Sequence, residues 1–316
     1  MEVKEVYKEF CQENNVPIFS QWWWLDTVCE KWDVILYEKG GKIWGSFPFC
    51  YETKMGFKII KMPKLTQTLG PFILYPKNQK YYKKISWEIE IMDYFICNLP
   101  KFDYFNLNFH KTITNWLPFY WANFKQTTRY TYVIRKNNSK NPLEIAENDV
   151  RRRIKKAKKE GVYIEESEDV ESLYKLATET FKRKGKELPY AFGLLNALFS
   201  SSYSRGKSKI MFANWNGMKI AGAMFVWDNE DVYYLVGGIH PKYKNLGGMD
   251  LILHEGILFA LNNHKNFDFE GSMIKSIERY FRSFGAIQIP YFNIYRSNSH
   301  IISFYLYVNE SLRRTN

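Results

Sequence analysis

Glu270 stands in the stretch Phe267-Asp268-Phe269-Glu270-Gly271-Ser272, where Asp268 and Glu270 share one face of a strand. A carboxylate near a strand end can serve as a general base that deprotonates an amine nucleophile. The same spacing permits an ordinary ion pair with Lys275, Arg279 or Arg282. Ser272 and Gly285 fit the start and stop of the helix that follows.

Two further stretches can hold an anion. In VYYLVGGIHPKYKNLGGMDLILHEGILFA an apolar strand ends at Gly237-Gly238, a loop carries Lys242 and Lys244, and Gly247-Gly248 precede a helix. Glycines admit close backbone approach, and a helix start attracts phosphate through its free N–H groups. A Gly-rich turn with two surface lysines reads equally well. In NDVRRRIKKAKKEGVYIEES, Arg151, Arg152, Arg153, Lys155 and Lys156 suit a polyphosphate. Val150, Ile154 and Ala157 recur at helical spacing, with Asn148 or Asp149 as N-cap and Gly161 as stop, so a solvated amphipathic helix is the competing reading. The five histidines are scattered, and His254 reads as a structural residue inside a helix. No Walker loop, dinucleotide fingerprint or zinc spacing is present, and no metal is expected.

These residues need a scaffold, and the pattern supplies an α/β one. The first part reads as two helices, a hairpin turning at Gly40-Gly41, a third strand, a long helix from about Gln79 to Cys97, then strand, short aromatic helix and strand. Trp22 to Trp24 point in three directions from one helix. The Asn-rich segment 136–144, with Pro142, is the natural linker. Beyond the basic helix nearly the same element order recurs, with Ser167 as the cap of the next helix, so a duplicated mixed α+β domain is expected. Ile301, Ile302, Tyr305 and Val308 form the stripe of a last helix.

At 316 residues, with 46% hydrophobic and 18% aromatic content, the chain can bury two cores. Its formal charge of +12 favours encounter with RNA, nucleotide phosphates, anionic glycan precursors or an acidic membrane surface, and selects none of them. Cys11, Cys29, Cys50 and Cys97 lack metal spacing and read as free thiols of a reducing compartment. The charged N-terminus and the lack of a long apolar run lead to a cytoplasmic expectation, with peripheral contact to an anionic membrane open.

With these pieces placed, the chain resembles the FemABX-type peptidyltransferases within the Gcn5-related N-acyltransferase (GNAT) superfamily. RRRIKKAKKEGVYI is similar to that family's R-x-x-x-R/K-K-A-x-K-x-G-V signature, and HPKYKNLGGMDLILHEGILFA and FDFEGSMIKSIERYFRSFGA follow in matching order. The superfamily's pyrophosphate loop, Q/R-x-x-G-x-G/A, corresponds to Lys244 through Met249, with lysine first and methionine last. The resemblance implies two tandem GNAT-like domains, residues 1–146 with a returning helix at about 297–316, and residues 147–296 with the donor cleft. It implies an acyltransferase moving an acyl or aminoacyl group from acyl-CoA or aminoacyl-tRNA onto an amine, often on a peptidoglycan or other cell-envelope precursor. The coiled-coil arm that some Fem proteins insert is absent. Expected roles are Glu270 as base or acceptor-orienting group, Tyr234 and Tyr280 as cleft hydroxyls, Gly237, Gly238, Lys242, Lys244, Gly247 and Gly248 around the donor, and Arg151 to Lys156 as a steering patch. A non-catalytic RNA-binding module and an acetyl-CoA-dependent small-molecule or sugar N-acetyltransferase are the rival readings.

Overall fold

Gly40 and Gly41 take φ values of 63° and 70°, the left-handed pair that a two-residue hairpin turn requires. They join β1 (Trp32–Lys39) to β2 (Lys42–Lys54) as expected. The structure is a computed structural model that describes residues 2–137 and 141–304. The chain divides into two units, Met1–Arg129 with Pro290–Asn316, and Tyr130–Ile289.

In the first unit, α1 (Val3–Glu13) and α2 (Trp22–Val28) precede the hairpin. After it come β3 (Phe57–Lys61), the short β4 (Phe72–Ile73), α3 (Tyr81–Asn98), β5 (Tyr104–Asn108), α4 (Leu117–Trp121) and the start of β6 (Lys125–Ile134). Trp23 and Trp24 are buried and Trp22 is half-buried, so the tryptophan run does split among directions. The core is aromatic: Phe47 meets Phe95, Phe105, Phe109 and Phe119 at ring separations of 5.5 to 6.4 Å, distances at which aromatic pairs attract.

The second unit contains α5 (Pro142–Ile145), α6 (Asn148–Lys159), β7 (Tyr163–Ser167), α7 (Val170–Lys182), α8 (Phe192–Tyr203), β8 (Ser208–Trp215), β9 (Met218–Trp227) and β10 (Asp231–Ile239). It continues with α9 (Gly248–Asn262), β11 (Asn266–Asp268), α10 (Lys275–Arg282) and the start of β12 (Ile287–Ser297). Both units follow one plan. In the first, β1, β2 and β3 run antiparallel, β3 pairs β5 in parallel, and β5 pairs β12 antiparallel. In the second, β7 to β10 run antiparallel, β10 pairs β11 in parallel, and β11 pairs β6 antiparallel.

Several expectations need correction. Part of the expected linker is helical, because Pro142 fits the first turn of α5 and Asn141 caps it by accepting the Leu143 N–H. Residue Glu147, not Asn148 or Asp149, is the N-cap of α6, and its carboxylate grips Arg279 instead of capping. The cap of α7 is Asp169, which accepts the Ser172 N–H at 2.9 Å, while Ser167 accepts the Asp169 N–H one step earlier. Ser272 shapes the turn before α10 by accepting the Ile274 N–H, and the helix starts at Lys275. Cys29 and Cys50, expected as free thiols, are joined as a disulfide with Cα atoms 5.8 Å apart, a separation normal for such a bond. Residues 300–304 are helical, and the rest of the expected last helix lies outside the described residues.

Candidate active site

Past the pairs Asp231↔Asn266, Val232↔Phe267 and Tyr233↔Asp268, β11 ends while β10 runs on to Ile239. The two parallel strands therefore part at Tyr234. A bulge between Tyr234 and Val236, where the register with β9 shifts, lies at the same point. Bulges bend a strand and re-aim its side chains.

The chain leaves β11 by a sharp turn. Asp268, fully buried, accepts the Thr131 hydroxyl and, at 2.8 Å, the Glu270 N–H. Glu270 itself takes φ 58° and Gly271 φ 67°. A left-handed conformation is uncommon for a residue with a side chain and persists only where surrounding bonds hold it. At Gly271 a Cβ would come within 2.1 Å of the Tyr130 carbonyl oxygen, so only glycine fits.

This turn leaves the Glu270 Oε1 buried with no hydrogen-bond partner. Its expected ion-pair partners are engaged elsewhere: Arg279 holds Glu147 through two bonds of 2.8 and 2.7 Å, and Arg282 holds Glu278 at 2.6 Å. Lys275 makes no ion pair among the described residues. Burial, and then the negative charge of Asp268, hold the Glu270 carboxyl well above the usual carboxylate range.

Three tyrosines gather here. Tyr234 and Tyr190 both feel the Glu270 charge, and burial first and that charge second keep the Tyr234 hydroxyl protonated well beyond neutral pH. The Tyr234 hydroxyl points to the Met249 sulfur at 3.6 Å. Tyr280 lies within electrostatic reach of Tyr234 and donates to Asp250 Oδ1 at 3.2 Å. The structure thus brings Glu270, Tyr234 and Tyr280 together, and adds Tyr190, which the sequence reading missed. Pro189 just before Tyr190, ending the stretch after α7, was the available signal that a fixed loop residue precedes α8.

The glycines have intramolecular duties. A Cβ on Gly237 would sit 1.7 Å from the Tyr234 hydroxyl oxygen, and one on Gly238 would strike the backbone of α7 at Leu176, 2.2 Å away. Gly247, with φ 74°, lies against the Arg153 carbonyl, and Gly248 against Ala213 and Ile220. The start of α9 is therefore packed against α6, β8 and β9. Its first turn also carries the buried carboxyl of Asp250, bonded to Arg153 Nε at 2.9 Å. Burial raises the Asp250 proton affinity, with Arg153 and Tyr280 opposing. The Cβ side of these glycines therefore faces protein, and an acid stands beside the helix start.

The basic helix α6 divides in two. Arg151 holds the Ala146 and Glu144 carbonyls at 3.0 Å each, Arg152 makes a surface pair with Asp149, and Arg153 serves Asp250. Lys155 and Lys156 are exposed, and Lys156 Nζ lies 3.5 Å from the Asn245 carbonyl, on the 3-10 turn Pro241–Leu246 that also presents exposed Lys242 and Lys244. None of these four lysines makes an ion pair among the described residues. His254 is buried in α9 and held neutral, its pKa lowered to about 4 by burial and then by Lys158. Among the described residues no group of side chains could hold a metal ion, and no helix is long and apolar enough to cross a membrane.

Comparison with known proteins completes the picture. Residues 146–282 match the acetyltransferase (GNAT) domain family. No curated protein matches the chain by sequence. The fold of FemX is similar over 92% of this chain and 95% of that one, with a TM-score of 0.69 at 11% identity. The C-terminal domain of a putative lysylphosphatidylglycerol synthetase from Agrobacterium fabrum and L-PGS from Bacillus licheniformis are similar at TM-scores of 0.52 and 0.50, each over 87% of both chains and at 10% identity. Residues 146–282 of the second unit thus carry a GNAT domain match, and the chain as a whole has a FemX-like fold whose strand plan recurs in both units, the architecture of two tandem GNAT-like domains.

Proposed function

We propose that this chain transfers an acyl or aminoacyl group from an activated donor, aminoacyl-tRNA or acyl-CoA, to an amine acceptor. The observation that supports the reading is the buried, unpartnered Glu270 Oε1 at the point where β10 and β11 part. The amine nitrogen attacks the donor's carbonyl carbon, forming the new C–N bond, and its proton passes to Glu270. The tetrahedral oxyanion is met by the protonated hydroxyls of Tyr234 and Tyr190. Collapse breaks the bond to the ester oxygen or thioester sulfur, which leaves with the proton that Glu270 took. Tyr280, tied to Asp250, holds the wall beside them.

We take residues 147–296 as the donor domain and the lysines at 155, 156, 242 and 244 as the contact for donor phosphates. The resemblance to Fem-type transferases supports an amine on a cell-envelope precursor as acceptor, met in the cytoplasm. Isotope-labelled transfer from each donor type to a panel of amines tests the reading. Glu270→Gln should lower kcat by roughly 10²-fold while leaving donor binding in place. Full turnover by that variant at saturating substrates would remove Glu270 from the chemistry.

A further inference from the structure

The helix α4 in the first unit is apolar on both sides. Pro118 and Phe119 are buried, while Leu117, Tyr120 and Trp121, spaced i, i+3 and i+4, share the outward face at 45%, 59% and 57% exposure. Soluble surfaces seldom keep three large apolar side chains together in water without a partner. The charges nearby in sequence are of one sign: no Asp or Glu occurs between Asp103 and Glu144, while Lys111, Lys125 and Arg129 do.

The helix that α4 packs against, α3, repeats the chemistry at its start. Between Glu52 and Glu88 there is again no acid. Lys77, Lys80, Lys83 and Lys84 are exposed there beside Tyr81 and Tyr82, at 77% and 61% exposure. Lys77, Lys80 and Lys83 make no ion pair among the described residues. The first turn of α3 has no acidic residue and its N-cap, Lys80, makes no side-chain cap. Positive charge at a helix start opposes the helix dipole, so this turn is less stable than a capped, acidic one. Local rules are broken in this way where a surface has a task.

We propose that the first unit docks on an anionic lipid bilayer through α4 and the start of α3, with Leu117, Tyr120 and Trp121 entering the headgroup region and the α3 lysines held by the surface charge. Tyr and Trp favour that region because one end of each ring system is apolar and the other hydrogen-bonds. Basic side chains near it are attracted by anionic lipid. Single-stranded RNA fits less well, since it tracks grooves lined by ring faces. A convex helix face led by a leucine offers no such track. Docking of this kind stands independently of the acyl-transfer reading.

Co-sedimentation of the full chain with vesicles of phosphatidylcholine alone, and of phosphatidylcholine with phosphatidylglycerol, tests it. The chain should pellet with the anionic vesicles at low salt and be released by high salt. Leu117→Ser, Tyr120→Ser and Trp121→Ser together should lower partitioning roughly tenfold or more, and Lys77, Lys80, Lys83 and Lys84 to Gln should flatten its salt dependence. Leu117→Ser alone should give a smaller loss, and keeps the test decisive if the triple variant aggregates. No pelleting, equal pelleting with neutral vesicles, or unchanged pelleting of the serine variants would overturn the proposal. RNA binding or self-association that the serine changes abolish, with no vesicle binding, would assign the face to RNA or to a second copy.

Discussion

Each unit holds a glutamate with one buried oxygen lacking a partner, and treats it differently. In the first unit, Glu88 on α3 receives the Tyr75 hydroxyl on Oε1 at 2.9 Å, with Lys84 3.9 Å from the same oxygen, and only Oε2 is left over. In the second, no described donor reaches Glu270, and its neighbour Asp268 is a second acid. A buried carboxylate with a hydroxyl and a cation is a structural element. One that is denied both stays proton-hungry, as a base needs to be. The same fold plan thus carries a partnered carboxylate in one unit and an unpartnered one in the other.

The largest expected effect breaks or upholds that contrast directly. Glu270→Gln should cost roughly 10²-fold in kcat, whereas Glu88→Gln should leave turnover within about twofold. Equal losses in a transfer assay would erase the distinction. Removing the second acid sharpens it: in Asp268→Asn the rising limb of the pH–rate profile should move to lower pH. The move should be partial, because burial is the larger cause of the Glu270 shift. An unmoved limb would show that Asp268 only shapes the turn.

Stability offers a smaller, graded contrast. The depressed pKa of His254, about 4, lies below its ordinary value near 6.5, so the unfolded chain binds the extra proton between them. Its contribution to stability is present above about pH 6.5 and is lost as pH falls toward 4. Glu270 acts with the opposite sign: the folded chain keeps its proton to higher pH, so stability is intact below about pH 4.3 and declines as pH rises. In thermal melts Glu270→Gln should exceed the wild type by a few degrees at neutral pH, with the gap closing below about pH 4. His254→Gln should flatten the acid side of the curve. Within α6, Arg153→Ala should cost about 1–2 kcal/mol by stranding buried Asp250, discounted because Arg153 is partly exposed, and Arg152→Ala under about 0.5 kcal/mol. Denaturant titration of the pair checks whether the two arginines differ.

Periodicity and turn chemistry revealed much of the scaffold. The Gly40-Gly41 hairpin, the Val150, Ile154, Ala157 stripe and the repeated element order are local signals, and each appears in the structure. Glu270 was expected on the strand, sharing a face with Asp268, but the strand ends at Asp268 and Glu270 stands in a left-handed turn two residues beyond it. Apart from Asp268, its surroundings could not be read, because Thr131 and Tyr190 are brought there only by folding. The cap of α7 lies two residues past Ser167 because the Asp169 carboxylate accepts the Ser172 N–H, while Ser167 accepts the Asp169 N–H before the helix begins. The packing around the glycines was hidden for a related reason: a missing side chain is readable, but what fills its place is not. At Gly247 a carbonyl of α6 lies where a Cβ would stand.

The 1.7 Å between the Tyr234 hydroxyl and the space above Gly237 constrains how this site can vary over time. Any side chain at 237 needs the volume the tyrosine holds, so alanine there must expel the hydroxyl from beside Glu270. Conversely, a chain that replaces Tyr234 with a shorter residue releases 237 from glycine. Positions 234 and 237 can therefore drift only as a pair, and the route between any two working versions passes through an intermediate that has lost the hydroxyl but still carries the glycine.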